Sequence, residues 1–341
     1  MRRGGRSIGI VGALVVIGGF LSLGIALAHA REETQARRVR PGHRPAPPDS
    51  ERPPLPPRQE PPPVSSSEVI SLHSDLVLVT VNVLGPRGEW LTGLGPEDFE
   101  ILEDGVPQRI AFFSGEAGLP LRLVVLVDTS LSVKGRLEFE KQAIVRFFRS
   151  VMRPRDLAAL IAISTEAILR QGFTEDVAQL VTAVRGLKAE GATALYDAVV
   201  MAAEFLASVE GRRAIVLLSD GRDTVSRATL GQALRRVQEV GATVYAINVE
   251  EPISANVREL IGETALELLA RQTGGEVFSP AQLEELDPIF ARVTEQLRTQ
   301  YVLGFYSTNE ARDGAFRRLT VRVKREGVIA RAREGYYAPR R

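Results

Sequence analysis

Hydrophobic alternation, and its interruption in the middle of the chain, organise this sequence. In DLVLVTVNVLGPRGEW, Val77, Val79, Val81 and Val83 share one face of a predicted strand, and Gly85-Pro86-Arg87-Gly88 supplies a turn. DFEILEDGVPQRIAFF reads as a second hairpin, with Asp104-Gly105 suited to its tight connection. At the far end, YVLGFYS and FRRLTVRVKREG restore period two through Leu319, Val321 and Val323, before ARAREGYYAP closes the pattern. Neither end has enough strands to be stable alone. The two are expected to pack with each other, as an accessory β-sandwich, or against the region between them.

In that middle region the period changes. Continuous apolar runs at 121–127, 157–163, 214–218 and 243–249 read as strands buried on both faces. Helical patterns near 136–150, 175–187, 194–208 and 229–240 separate them, and another covers 282–299. Alternating strands and helices predict an α/β class with a doubly wound, mostly parallel sheet. Ligands of such sheets bind outside the carboxyl ends of the strands.

The N-terminal region reads differently. Arg2, Arg3 and Arg6 precede an uncharged apolar run, Ile8 to Ala28, which ends in Ala28-His29-Ala30. This is the pattern of an export segment, either a signal peptide cleaved after Ala30 or a retained anchor crossing the inner membrane through residues 8–28. The bulk of the chain is then periplasmic or extracellular. Residues 31–68 hold more than half of the chain's 20 prolines and are expected to be a disordered stalk. RPPLPPR within it matches a PxxP pattern, for which a spacer is the simpler reading. The expected organisation is an export segment (1–30), a stalk (31–68), a β segment (69–118), the α/β domain (119–299) and a second β segment (300–341).

Composition narrows the chemistry. The 341 residues are 25% charged with a net charge of +1, so no basic field advertises nucleic acid as a partner. Cysteine is absent, which removes disulfides, thiolate metal sites and cysteine nucleophiles. The three histidines, His29, His43 and His73, all precede the α/β region, so no Ser-His-Asp arrangement can form from residues within it.

The informative stretch is VVLVDTSLSVKGR, where a buried strand runs into Asp128-x-Ser130-x-Ser132. Taken singly, each residue there has an ordinary explanation. Ser130, Ser132 or Thr193 in EGATALYDA could cap a helix, and Asp220-Gly221 could be a turn. Together, Asp128 and Asp220 end aliphatic strands and Thr193 opens the segment between them, so all five converge on one edge of the predicted sheet. An all-oxygen set suits a hard cation such as Mg2+.

DTSLS, the later GAT and the later SDG resemble, in order and approximate spacing, the metal-ion-dependent adhesion site of von Willebrand factor type A domains, over roughly residues 119–299. The resemblance implies a Rossmann-like fold in which Ser130, Ser132 and Thr193 supply hydroxyl ligands to Mg2+ or Mn2+. Asp128 and Asp220 would act through waters or at longer range. The implied partner is a protein that supplies an Asp or Glu carboxylate. The flanks, LTGLGPEDFEILEDGVPQRIAFF and YVLGFYSTNEARDGAFRRLTVRVKREGVIARAREGYY, are similar to exported bacterial proteins built around a related domain.

Two other classes stay open at this point. A metal-assisted phosphoester hydrolase would also use carboxylates at strand ends. However, the position two after Asp128 is Ser130 rather than a second acid, and the chain has no G-x-x-x-x-G-K-[ST] loop. Lys134 reads as a solvated loop lysine rather than an activator of a serine. A structural assembly module with an empty site is the third class. Asp223 and Ser226 read as a loop with a helix-start signal, with the rim of the site as the alternative. Arg122, Arg212, Arg213, Arg235 and Arg236 read as surface charges.

Overall fold

The computed structural model describes residues 76–115, 118–249 and 257–340. The export segment, the stalk and all three histidines lie outside the described residues.

β1 (Leu76–Leu84) buries Val77, Val79, Val81 and Val83, as its alternation requires. β2 (Phe99–Glu103) and β3 (Val106–Gln108) form the next hairpin. Asp104 and Gly105 join them with φ of 47° and 84°, so both turn residues adopt the left-handed backbone that a tight hairpin favours. β4 (Ile110–Ser114) leaves that hairpin for another sheet.

The α/β region then runs β5 (Leu121–Asp128), α1 (Leu137–Val151), β6 (Leu157–Ile163), β7 (Ala167–Thr174), α2 (Val177–Arg185) and α3 (Leu195–Ala207). It continues through β8 (Arg212–Ser219), α4 (Leu230–Val240), β9 (Thr243–Asn248), α5 (Val257–Gln272), β10 (Val277–Phe278) and α6 (Leu286–Arg298). The chain closes with β11 (Tyr301–Tyr306), β12 (Phe316–Val323), β13 (Ile329–Ala332) and β14 (Gly335–Tyr337).

The central sheet has the order β10-β9-β8-β5-β6-β7, parallel except where β7 pairs antiparallel with β6. Its continuous apolar runs conceal an alternation. Leu123, Val125 and Val127 of β5 pack with α1 and α6 on one face, whereas Val124 and Leu126 pack with α3 and α5 on the other. Each face therefore has its own core, and β5 at the centre serves both.

Two elements carry little sequence signal. β7 is a half-buried edge strand without an apolar run. α5 mixes exposed Leu260 and Ile261 with buried Leu266 and Leu269 and so blurs the helical stripe.

The flanking segments do pair with each other. β13-β1-β11-β4 and β14-β12-β2-β3 are two antiparallel sheets. They share a core that includes Val79, Val81, Phe99, Ile101, Leu303, Phe305 and Leu319, which makes the accessory β-sandwich. It meets the α/β region through a buried polar seam. Asn82 donates to the Gln296 carbonyl at 2.8 Å, and Gln300 donates to the Tyr245 hydroxyl at 3.0 Å.

The seam corrects the expectation for Arg212, which is buried rather than a surface charge. Its guanidinium donates to the carbonyls of Leu119 and Leu297, and burial lowers its pKa to about 10. Arg213 is half-buried and likewise donates to carbonyls, those of Val209 and Val240.

At the start of β5, buried Asp156 accepts from the Leu121 and Arg153 amides at 2.7 and 2.9 Å and pairs with Arg298. Removing it strands a nearly buried guanidinium and the first amide of the central strand. Asp156→Ala is expected to destabilise the fold by about 3 kcal/mol, read as a lower urea midpoint. A loss under about 1 kcal/mol would refute this account.

Candidate metal centre

Because β5 and β8 are parallel neighbours, their last residues, Asp128 and Ser219, emerge at the same edge of the sheet, with Asp220 next in the chain. Asp128 is 1% exposed. Its Oδ1 accepts from the Ser130 amide at 2.8 Å and its Oδ2 from the Ser219 hydroxyl at 3.1 Å. Burial pushes the Asp128 pKa up, the Ser130 amide opposes the rise, and the nearby Asp220 charge adds to it.

The loop after β5 is held from three sides. The Thr129 amide and hydroxyl both donate to the Ile163 carbonyl at the end of β6. The Glu190 amide donates to the Thr129 carbonyl at 2.6 Å, and the Leu131 amide to that of Gly191 at 3.2 Å. Val133, fully buried, anchors the short turn at 131–133 in the core. The result brings Ser130 Oγ to 2.8 Å from Ser132 Oγ.

Thr193 arrives on the neighbouring loop and is 7% exposed. Its backbone is fixed in position, since its amide donates to Thr224 Oγ1 at 3.0 Å and its carbonyl accepts from the Thr224 amide at 2.9 Å. Two glycines allow these loops to approach. Gly191 and Gly221 both have φ of 78°, and a Cβ would run into Thr165 and Ser164 at the first and into the Gly262 carbonyl at the second.

The simple capping roles fall elsewhere. Neither Ser130 nor Thr193 caps a helix with its side chain. The N-terminus of α3 is satisfied from another loop, because Asp223 Oδ1 accepts from the Leu195 amide at 2.9 Å and Ser226 Oγ from the Asp197 amide at 3.1 Å. Asp223 and Ser226 therefore brace α3, while α4 starts at its own cap, Thr229. Lys134 is exposed, as expected.

The acids have distinct counterparts. Asp220, 3% exposed, is held by Arg222. Glu140 on α1 is fully buried, and its Oε1 accepts from Arg136 Nε at 2.9 Å. Glu140 Oε2 and Arg136 Nη2 make no hydrogen bond among the described residues. Among those residues no group of three or more His, Cys, Asp or Glu side chains comes together as a metal cluster. A cation here would depend on the touching Ser130 and Ser132 hydroxyls, with Thr193 on the neighbouring loop and Asp128 and Asp220 in support. That all-oxygen, hydroxyl-rich set fits a hard cation of the Mg2+ kind. Exposed Leu131 and Val225 lie on the same loops, and Leu260 and Ile261 precede Gly262 where α5 abuts Asp220 and Gly221.

The family model described as the von Willebrand factor type A domain matches residues 123–222, the span from β5 through Asp220-Gly221-Arg222. The chain carries a von Willebrand factor type A domain. Type A domains are protein-interaction and adhesion modules. Among solved structures, a von Willebrand factor type A protein from Catenulispora acidiphila is similar at 13% identity and a TM-score of 0.48, covering 78% of this chain and 74% of that one. The von Willebrand factor domain of a type V pilus tip protein from Porphyromonas gingivalis gives 15% identity and a TM-score of 0.45, over 52% and 94%. An aerotolerance-related membrane protein from Bacteroides fragilis gives 18% and 0.44, over 52% and 98%. No curated protein matches the chain.

Within the type A domain, the loops carrying Asp128, Ser130, Ser132, Thr193 and Asp220 meet at one sheet edge. Ser219, Thr224 and Arg222 support them and carry no separate signal in the sequence, being ordinary polar residues until the loops close.

Glu140 gives the domain a pH dependence. Burial raises its pKa to about 7 against the pull of Arg136, and the Asp128 charge adds to the rise. A carboxyl raised in the folded state contributes stability that is complete below its unfolded pKa and is lost as pH rises through the folded one. Glu140→Gln removes this titration, so its stability relative to wild type should climb between pH 4.5 and about 7, by up to about 3 kcal/mol. Urea midpoints measured across that range check it, and a difference independent of pH would refute it.

Proposed function

We propose that this protein is an exported binding module that holds Mg2+ or Mn2+ at the sheet edge and uses it to engage an Asp or Glu carboxylate of a protein partner. Ser130, Ser132 and Thr193 supply hydroxyl ligands, while Asp128 and Asp220 support the ion through waters or at longer range. The observation that carries this reading is the contact between the Ser130 and Ser132 hydroxyls on the same loop whose amide holds buried Asp128. Neutral inner ligands leave a divalent ion much of its positive charge, and an acidic side chain from outside can then complete its coordination. The exposed aliphatic side chains of Leu131, Val225, Leu260 and Ile261 offer apolar contacts beside that acid.

The reading is non-enzymatic. The α/β region has no histidine to serve as a base, and the residue two after Asp128 is Ser130 rather than a second acid. Export rests on Arg2, Arg3 and Arg6 ahead of the apolar run from Ile8 to Ala28. Among the described residues no helix is long and apolar enough to cross a membrane.

Calorimetric titration of Mg2+ and Mn2+ into the protein tests the site. Wild type is expected to bind, and Asp128→Ala, shown by circular dichroism to be folded, to lose at least about tenfold in affinity. Equal affinities in the two proteins would sink the assignment.

A further inference from the structure

We infer that Arg222 is the charge-setting residue of this centre, a fixed guanidinium that neutralises Asp220, weakening the hold on the divalent ion while leaving the loaded site positive towards a carboxylate. The inference rests on the cation-binding reading above and deepens it.

Three donors of Arg222 converge on one carboxylate. Its amide gives Oδ1 a bond of 2.9 Å, and its Nε and Nη2 reach Oδ2 at 2.8 and 2.6 Å. The Asp220 side chain is 4% exposed, against 37% for that of Arg222, so the charge being met is a buried one. The geometry is built into the chain. Gly221, at positive φ, folds the backbone so that residue 222 faces residue 220. A Cβ added at Gly262 of α5 would come within 3.2 Å of Arg222 Cγ, so the guanidinium stem is seated against the helix. Exposed pairs such as Arg236 with Glu204 lack such support.

Among the described residues no cation pairs with Asp128. The groups that bond it are the neutral Ser130 amide and Ser219 hydroxyl. An incoming divalent ion thus meets one uncompensated carboxylate, Asp128, and one already paired, Asp220. Removing the guanidinium lowers the charge around a bound ion by one unit, whatever else Arg222 touches. A positive centre attracts a carboxylate, and a neutral one loses that long-range pull. Arg222 trades cation affinity for acid affinity.

The test uses the full chain and Mn2+ alone, titrated calorimetrically in low salt into wild type, Arg222→Gln and Arg222→Lys. Arg222→Gln should bind Mn2+ about fivefold more tightly or better, because a positive charge close to the ion is gone. Arg222→Lys keeps the charge and should stay within about twofold of wild type. In EDTA, Arg222→Gln should also melt below wild type, since Asp220 stays buried without its counter-charge, and Mn2+ should reverse that order. Unchanged or weaker Mn2+ binding by Arg222→Gln overturns the role of Arg222 while wild-type binding leaves the metal centre standing. Arg222→Lys behaving like Arg222→Gln also overturns the charge account. Mn2+ binding by none of the three overturns the centre and the inference together.

Discussion

The burial of Asp128 at the end of the central strand is the constraint on which the site depends. β5 is covered on both faces, so its last side chain has no route to bulk water, and the carboxylate must find donors within the protein. It finds the amide two residues ahead and the last hydroxyl of β8. To bring the Ser130 amide back onto Asp128, the chain turns sharply as it leaves the sheet, and that turn carries Ser130 and Ser132 side by side. Thr129, bonded to β6 through both its amide and hydroxyl, fixes the turn against the sheet. The hydroxyl pair is thus a geometric consequence of satisfying a buried charge.

How much of this was legible in the sequence differed from element to element. The four runs buried on both faces, and the alternating valines of β1, are strong because burial dictates every position in them. Asp104-Gly105 was readable because a two-residue turn demands positive φ, which these residue types tolerate. β7 was not readable, since an edge strand half-covered by neighbours needs neither an apolar run nor clean alternation. Arg212 looked like a surface charge because its acceptors are backbone carbonyls distant in sequence, at Leu119 and Leu297, which no local pattern announces. Asp223 carried a helix-start signal, but the helix it starts is α3, almost thirty residues earlier. That the loops carrying Asp128, Ser130, Ser132, Thr193 and Asp220 come to one edge could be read in advance, because strand ends in a parallel sheet share that edge. What could not be read was their support, Ser219, Thr224 and Arg222, whose roles exist only once the loops meet.

The accessory sandwich is assembled from both ends of the described chain, with β1 between β11 and β13 and β2 beside β12. Its seam with the α/β region engages β8 at Arg212, the first residue of that strand, whereas the site lies beyond Ser219, the last. Along an extended strand those ends are about 23 Å apart. Among the described residues the sandwich therefore braces the amino end of the sheet and does not reach the loops at its carboxyl edge, where exposed aliphatic side chains lie.

Three buried acids lie at or beneath that edge, and each is treated differently. Glu140 pairs with Arg136 at the cap of its helix, Asp220 is gripped by Arg222 two residues on, and Asp128 is bonded, among the described residues, by neutral groups. The first two pairings close within one short stretch of chain, although burial still raises the Glu140 pKa to about 7 against the pull of Arg136. Asp128 lacks such a pair among the described residues, and burial and the proximity of Asp220 draw its pKa upward, as burial also does for Glu140. A buried carboxylate without a counter-charge costs stability, and the Ser130 and Ser132 hydroxyls lie on the loop whose amide bonds it. It is on this residual charge and these neutral donors that the proposed occupant, a small hard cation at the edge of the sheet, rests.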